Sequence, residues 1–240
     1  MYTLPAALMA AGDMATLREF MANSITGALV DDEAMRADVV ASMFDTNPFC
    51  TWKTEDGHCH STMDSFMLIV RGLKALLEED TDASRTALRA WLPPPAELLR
   101  IAEYEVAFRA ISYGAQHPSL LCARLGGERL GDWAAAVEVA EGVLAIEAFQ
   151  PVLRTEALRL LGRAHDALGA QAAACEAVER AVAEAATAKY VWFEMLALAD
   201  LLKWCAPGET EGVRSRLRGV AARLAASKEE LVGVLGEGVL

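Results

Sequence analysis

The segment ALRLLGRAHDALGAQAAACEAVERAVAEAA, residues Ala157–Ala186, decides how the rest of the chain is read. Leu158, Leu161, His165 and Leu168 recur every three or four residues, which places them along one face of a helix. Gly169 interrupts the pattern, because glycine enters the left-handed conformation that ends a helix without a steric penalty. Ala174, Val178 and Ala181 then mark the buried side of a second helix. The segment is therefore a helical hairpin, and its abundant alanine favours helix throughout.

Moving outward, the same unit recurs on both sides. Pro118 opens a helix that turns at Gly131-Asp132 into a second helix over Trp133–Ala148. Beyond the central pair (Val152–Leu168 and Gln171–Ala188), Lys189–Cys205 turns at Pro207-Gly208 into Glu211–Ala226. The turns at Gly131 and Gly169 stand 38 residues apart, and Gly169 and Gly208 stand 39 apart. Ser227 followed three positions on by Glu230 has the capping-box pattern of a last helix ending near Gly236, which would cover the final apolar face.

The first half reads as a separate helical region. Met14, Leu17, Phe20, Met21 and Ile25 share one helical face, and a second helix runs from Asp31-Asp32-Glu33 to Phe44. Residues 46–62 are the longest stretch without periodicity and are expected to form a loop. Helical spacing resumes over Met63–Leu77 and Ala83–Leu92, and Pro93-Pro94-Pro95 then forms a rigid boundary before a helix over Ala96–Tyr113. The expected division is an N-terminal helical bundle region over 1–92 and a repeat region with a C-terminal capping helix over 93–240.

Residues 119–205, and Ala157–Ala186 most clearly, resemble the tetratricopeptide superfamily in a degenerate form. Gly162 and Ala174 stand where the two helices of that repeat approach closely, and Ala181 where the next repeat packs. Arg124, Val143 and Leu196 depart from the family's small-residue positions. The resemblance implies an all-α, right-handed array of helical hairpins, a tetratricopeptide-like α-solenoid. It also implies a concave face lined by the first helix of each unit. Leu121, Leu125, Glu128 and Arg129 would face it from the first unit, Glu156, Arg159, Arg163 and Asp166 from the second, and Tyr190, Phe193, Ala197 and Asp200 from the third. Leu121, Leu125, Arg129, Arg159, Arg163, Tyr190 and Phe193 are the expected partner-binding residues. Arg and aromatic side chains commonly dominate such contacts, though Arg159 and Arg163 could instead pair with Glu156 and Asp166 on their own helix.

Charge and composition narrow the function classes. The net charge is −12 over 240 residues, with 9 Lys/Arg against 17 Asp/Glu in residues 1–115 and 13 against 17 in residues 116–240. Neither half has the clustered cations that nucleic-acid binding requires. Apolar runs such as Phe66–Val70 are far too short to span a bilayer, and Met1–Gly12 lacks the basic start of a signal peptide. Five scattered cysteines do not make a disulfide framework, so a cytoplasmic or other reducing compartment is expected.

Cys50, His58, Cys59 and His60 are the one cluster with metal-ligand chemistry. It has no C-x₂-C pair, and three of its members are consecutive, so no metal is expected there. No phosphate-binding glycine loop or nucleophile elbow occurs, and no cofactor is expected. The expected function is a non-enzymatic scaffold or assembly subunit that binds a protein or peptide on the concave face. The alternative is an α-helical small-molecule or metal-binding protein, or an enzyme, that uses the 46–62 loop.

Overall fold

A computed structural model describes residues 51–53, 59–61, 68–107 apart from 70, 73 and 77, 117–147, 151–204 and 208–223. The helices expected over 13–44 and 227–236 lie outside these residues. The architecture is predominantly helical, and no described helix is long and apolar enough to cross a membrane. The chain divides into two compact units, Met1–Leu125 and Gly126–Leu240, whereas the sequence suggested a boundary at the triple proline.

In the first unit, part of the expected 46–62 loop is instead a small antiparallel hairpin. Strand β1 (Thr51–Lys53) pairs with β2 (Cys59–Ser61), with Thr51 opposite Ser61, Trp52 opposite His60 and Lys53 opposite Cys59. Helical residues follow within 68–76, then α1 (Asp82–Trp91) and α2 (Pro95–Ala107).

The start of α1 is fixed by Thr81, whose hydroxyl accepts from the Ser84 N–H, while the Ser84 hydroxyl accepts from the Thr81 N–H. This reciprocal cap satisfies two amide donors that the first turn leaves without helical partners. Pro95 occupies the first position of α2, where its missing N–H costs nothing. Leu98, Ile101 and Ala102 form its buried face. Ser119, at the start of α3 (Pro118–Leu130), donates from its hydroxyl to the Leu98 carbonyl at 2.6 Å and so ties α3 to α2.

Further along α3, Leu121 and Leu125 pack over Gly72. A Cβ at Gly72 would stand 2.6 Å from Leu121 Cδ2, so the Leu121 side chain would have to shift for any larger residue there.

The second unit continues through α4 (Trp133–Ala145), α5 (Pro151–Ala167), α6 (Gln171–Thr187), α7 (Val191–Leu201) and α8 (Thr210–Ala221). Each of these helices packs on the next, and α5 also touches α7. The core joins Leu158 of α5, Val178, Ala181 and Val182 of α6, Met195, Leu198 and Leu201 of α7, and Leu217 and Val220 of α8.

Gly162 lies where α5 crosses α6. A Cβ there would overlap the Val178 side chain and stand 3.2 Å from the Ala174 carbonyl oxygen. Ala174 and Ala181 are fully buried, as their small size at these positions suggested.

The corners share one construction. At the end of α5, Gly169 adopts φ 79°, Gly169 N–H donates to Asp166 O, and Ala170 N–H donates to His165 O. The end of α6 repeats these bonds, with Lys189 N–H to Ala186 O and Tyr190 N–H to Ala185 O, although Lys189 holds the left-handed position at φ 59°. Both corners are Schellman motifs, which satisfy carbonyls that the last turn leaves open.

Candidate functional site

The polar groups that matter most lie where α5 meets α7. On α5, Arg159 and Arg163 are one helical turn apart and therefore project on the same side. Opposite them, Asp200 stands near the end of α7 and is only 2% exposed. Arg159 Nε donates to Asp200 Oδ2 at 2.8 Å, and Arg159 Nη1 donates to Glu156 Oε1 at 2.6 Å. Arg163 reaches the same carboxylate with Nη2, at 3.3 Å to Oδ2 and 3.4 Å to Oδ1. Its Nη1 donates to Glu128 Oε1 at 3.4 Å. Lys203 completes the set with Nζ at 3.0 Å from Asp200 Oδ1. Among the described residues, three cations and three carboxylates thus form one network.

Burial alone would push the Asp200 carboxyl up, because a charge is poorly solvated in the interior. The charges of Arg159, Arg163 and Lys203 overcome that effect and hold it well below the usual carboxylate range. Arg159 follows the same logic in reverse. Burial disfavours its charge, yet Asp200 and Glu156 raise its pKa, so both partners stay ionised. Such a pair fixes the geometry of two helices more than it adds stability, since desolvation offsets much of the attraction.

A second buried acid lies nearby in the sequence. Glu194 of α7 accepts from Arg216 Nη2 at 2.9 Å and from Arg223 Nη2 at 2.7 Å, each arginine engaging a different carboxylate oxygen. Arg154 plays a related role at the start of α5, donating to the Leu144 carbonyl at the end of α4 and pairing with Glu184 of α6.

The expected partner face is placed as follows. Leu121 and Leu125 are fully buried against Gly72, so the chain's own residues take the space a partner would have used. Arg159 is 7% exposed and committed to Glu156 and Asp200, which makes it a structural group rather than a surface contact. Arg129 is half-buried. Arg163 remains partly accessible. Tyr190 is exposed at the residue before α7 and meets the half-buried Phe193 edge to face, with ring centroids 6.4 Å apart. The expected pairing of Arg159 with Glu156 is present, while the stronger partner, Asp200, comes from another helix.

Asp200 was legible as a residue of the same face but not as the acid that binds both arginines. Glu194, Lys203, Arg216 and Arg223 were not singled out by the sequence. Their partners lie on neighbouring turns or helices, and no short motif marks them.

Of the cysteine–histidine cluster, Cys59 and His60 are successive residues of β2, and Cys50 and His58 lie outside the described residues. Among the described residues no group of three or more His, Cys, Asp or Glu is arranged to hold a metal ion. Cys122 is wholly buried and its thiol is pushed up to about 12, so it is not a nucleophile near neutral pH. Compared with protein-family models, curated proteins and solved structures, the chain matches none.

Proposed function

We propose that the chain is a non-enzymatic binding protein or assembly subunit, built on a tetratricopeptide-like array, that holds an acidic protein or peptide segment against α5 and α7. The observation that carries this reading is that the Asp200 carboxylate gathers Arg163 and Lys203 at one place, with Arg159 fixed beneath them. Two cations anchored on one buried acid keep their positions without a partner, so a carboxylate docking there spends little entropy on ordering them. Tyr190 and Phe193, at the other end of α7, supply an apolar contact of the kind that anchors peptide interfaces. The packing order of α4 to α8, with α5 also on α7, supports the array. The free, buried thiol of Cys122 supports a reducing, cytoplasm-like compartment.

The test is affinity capture from the source cells with the wild-type chain and with the double variant Arg163→Glu, Tyr190→Ser. The variant is expected to lose the captured partner while keeping its helical spectrum, with a lower melting temperature because the new carboxylate faces Asp200. Recovery of the same partner at the same yield would move the binding surface away from α5 and α7.

A further inference from the structure

The first unit contains a cleft that the reading above does not use. It lies between the helical residues of 68–76 and α1, has a volume of about 240 Å³, and is lined along one side by Arg71, Lys74, Ala75 and Glu78. Ser84, Ala87, Leu88 and Trp91 line the other side. The residues of each side follow helical spacing, so two helix faces bound the space. Alanine at 75 and 87 keeps the middle open, and buried Leu88 forms an apolar floor.

Chemistry differs along the cleft. At one end Arg71 lies over the ring of Trp91, with its guanidinium carbon 6.0 Å from the ring centroid. That attraction holds the cation in place, and among the described residues no carboxylate pairs with Arg71. Lys74 lies one helical turn away and adds a second cation on the same wall. The Ser84 hydroxyl is already occupied in the cap of α1. What the cleft offers a ligand is therefore an apolar floor, one aromatic wall, a cationic edge at the tryptophan end, and the Glu78 carboxylate at the opposite end of that wall.

We infer that this cleft binds a small apolar carboxylate, its hydrocarbon body over Leu88, Ala75 and Ala87 and its carboxylate against Arg71 and Lys74. The volume falls below the range typical of drug-sized ligands and suits a single ring or a short alkyl chain. A free organic acid and the C-terminal residue of a peptide carry this same chemistry. Arginine suits it because its fork of donors matches both carboxylate oxygens.

Phenylacetate is the probe, titrated into the full chain by ligand-observed NMR and calorimetry, with phenylacetamide and benzylamine as neutral and cationic controls. A ligand of this size is expected to bind with Kd on the order of 1 mM. Phenylacetamide should bind at least about fivefold more weakly, as expected for loss of a charge-assisted hydrogen bond, and benzylamine should not bind. Arg71→Gln should reduce phenylacetate affinity by a similar factor and leave phenylacetamide unchanged. Ala87→Trp, on an exposed position of α1, should fill the cleft and abolish both, with melting temperature confirming the fold. A pentapeptide ending in phenylalanine, compared with its amidated form, separates the two sources, and tighter binding by either acid supports the site. Equal binding of phenylacetate and benzylamine, or binding that survives Ala87→Trp, would overturn the inference, as would no binding by either acid. None of these outcomes bears on the α5–α7 surface, which lies in the other unit.

Discussion

Arg159 and Asp200, 41 residues apart in sequence, share a buried hydrogen bond of 2.8 Å that links α5 to α7. Arg159 also holds Glu156, and Asp200 also holds Arg163 and Lys203. Asp200→Ala should destabilise the protein by about 3–5 kcal/mol, because it removes the carboxylate that three cations share and leaves the buried Arg159 with Glu156 alone. Arg159→Met combined with Asp200→Leu should recover most of that loss. A double-mutant cycle in a denaturant titration checks both, and additive losses would show that the two side chains do not act as a pair.

Gly162 tests the crossing of α5 and α6 directly. Leucine there would meet Val178 and the Ala174 carbonyl, both on a helix that cannot move without disturbing the core. Gly162→Leu is expected to cost about 1–3 kcal/mol by overpacking, despite the better intrinsic helix propensity of leucine. The shift in urea midpoint measures it.

Lys189 offers the opposite experiment. An L-residue in the left-handed region is strained by about 1–2 kcal/mol, and glycine removes that strain at an entropic cost of about 0.5–1 kcal/mol in the unfolded chain. Lys189→Gly should stabilise by roughly 0.5–1 kcal/mol, read as a rise in melting temperature. The corresponding Gly169→Lys should destabilise, since its φ of 79° is equally left-handed.

The buried His117 imposes a pH dependence. Burial lowers its pKa to about 3, while an unfolded histidine titrates near 6.5. Its contribution is complete above pH 6.5 and is lost as pH falls toward 3, because only the unfolded chain takes up the proton in that window. The loss is about 1.4 kcal/mol per pH unit, or roughly 2–3 kcal/mol by pH 4.5. His117→Gln should flatten the stability profile between pH 6.5 and 4.5, measured by denaturant titration across that range.

The helices of the second unit were largely legible in the sequence because three local signals agree there. Apolar spacing located the helix faces, Gly131 and Gly169 marked the corners, and Gly162 with Ala174 marked the closest approach. The corner at Lys189 was placed as well, between Ala188 and Lys189, although the residue there is not the one the conformation favours. The hairpin of β1 and β2 escaped notice because its strands are three residues long, too short to display an alternating pattern. The site was legible only as a face. Spacing put Arg159 and Arg163 on one side of their helix, and the register of the tetratricopeptide resemblance added Asp200, but burial and pairing depend on how far apart α5 and α7 stand, which no local pattern encodes.

The packing order of the second unit has a consequence for how it comes apart. With α4 through α8 each resting on the next in sequence, most contacts close short loops, and little chain must be searched to make them. Such contacts form quickly, and a unit that is the array proposed above unzips a helix at a time when pulled from one end. The Arg159–Asp200 bond is an exception to that ladder, since it skips over α6 to clasp α5 and α7. It acts as a latch that makes three successive helices release together, so force applied at α8 should meet it once the bonds of Arg216 and Arg223 to Glu194 have given way.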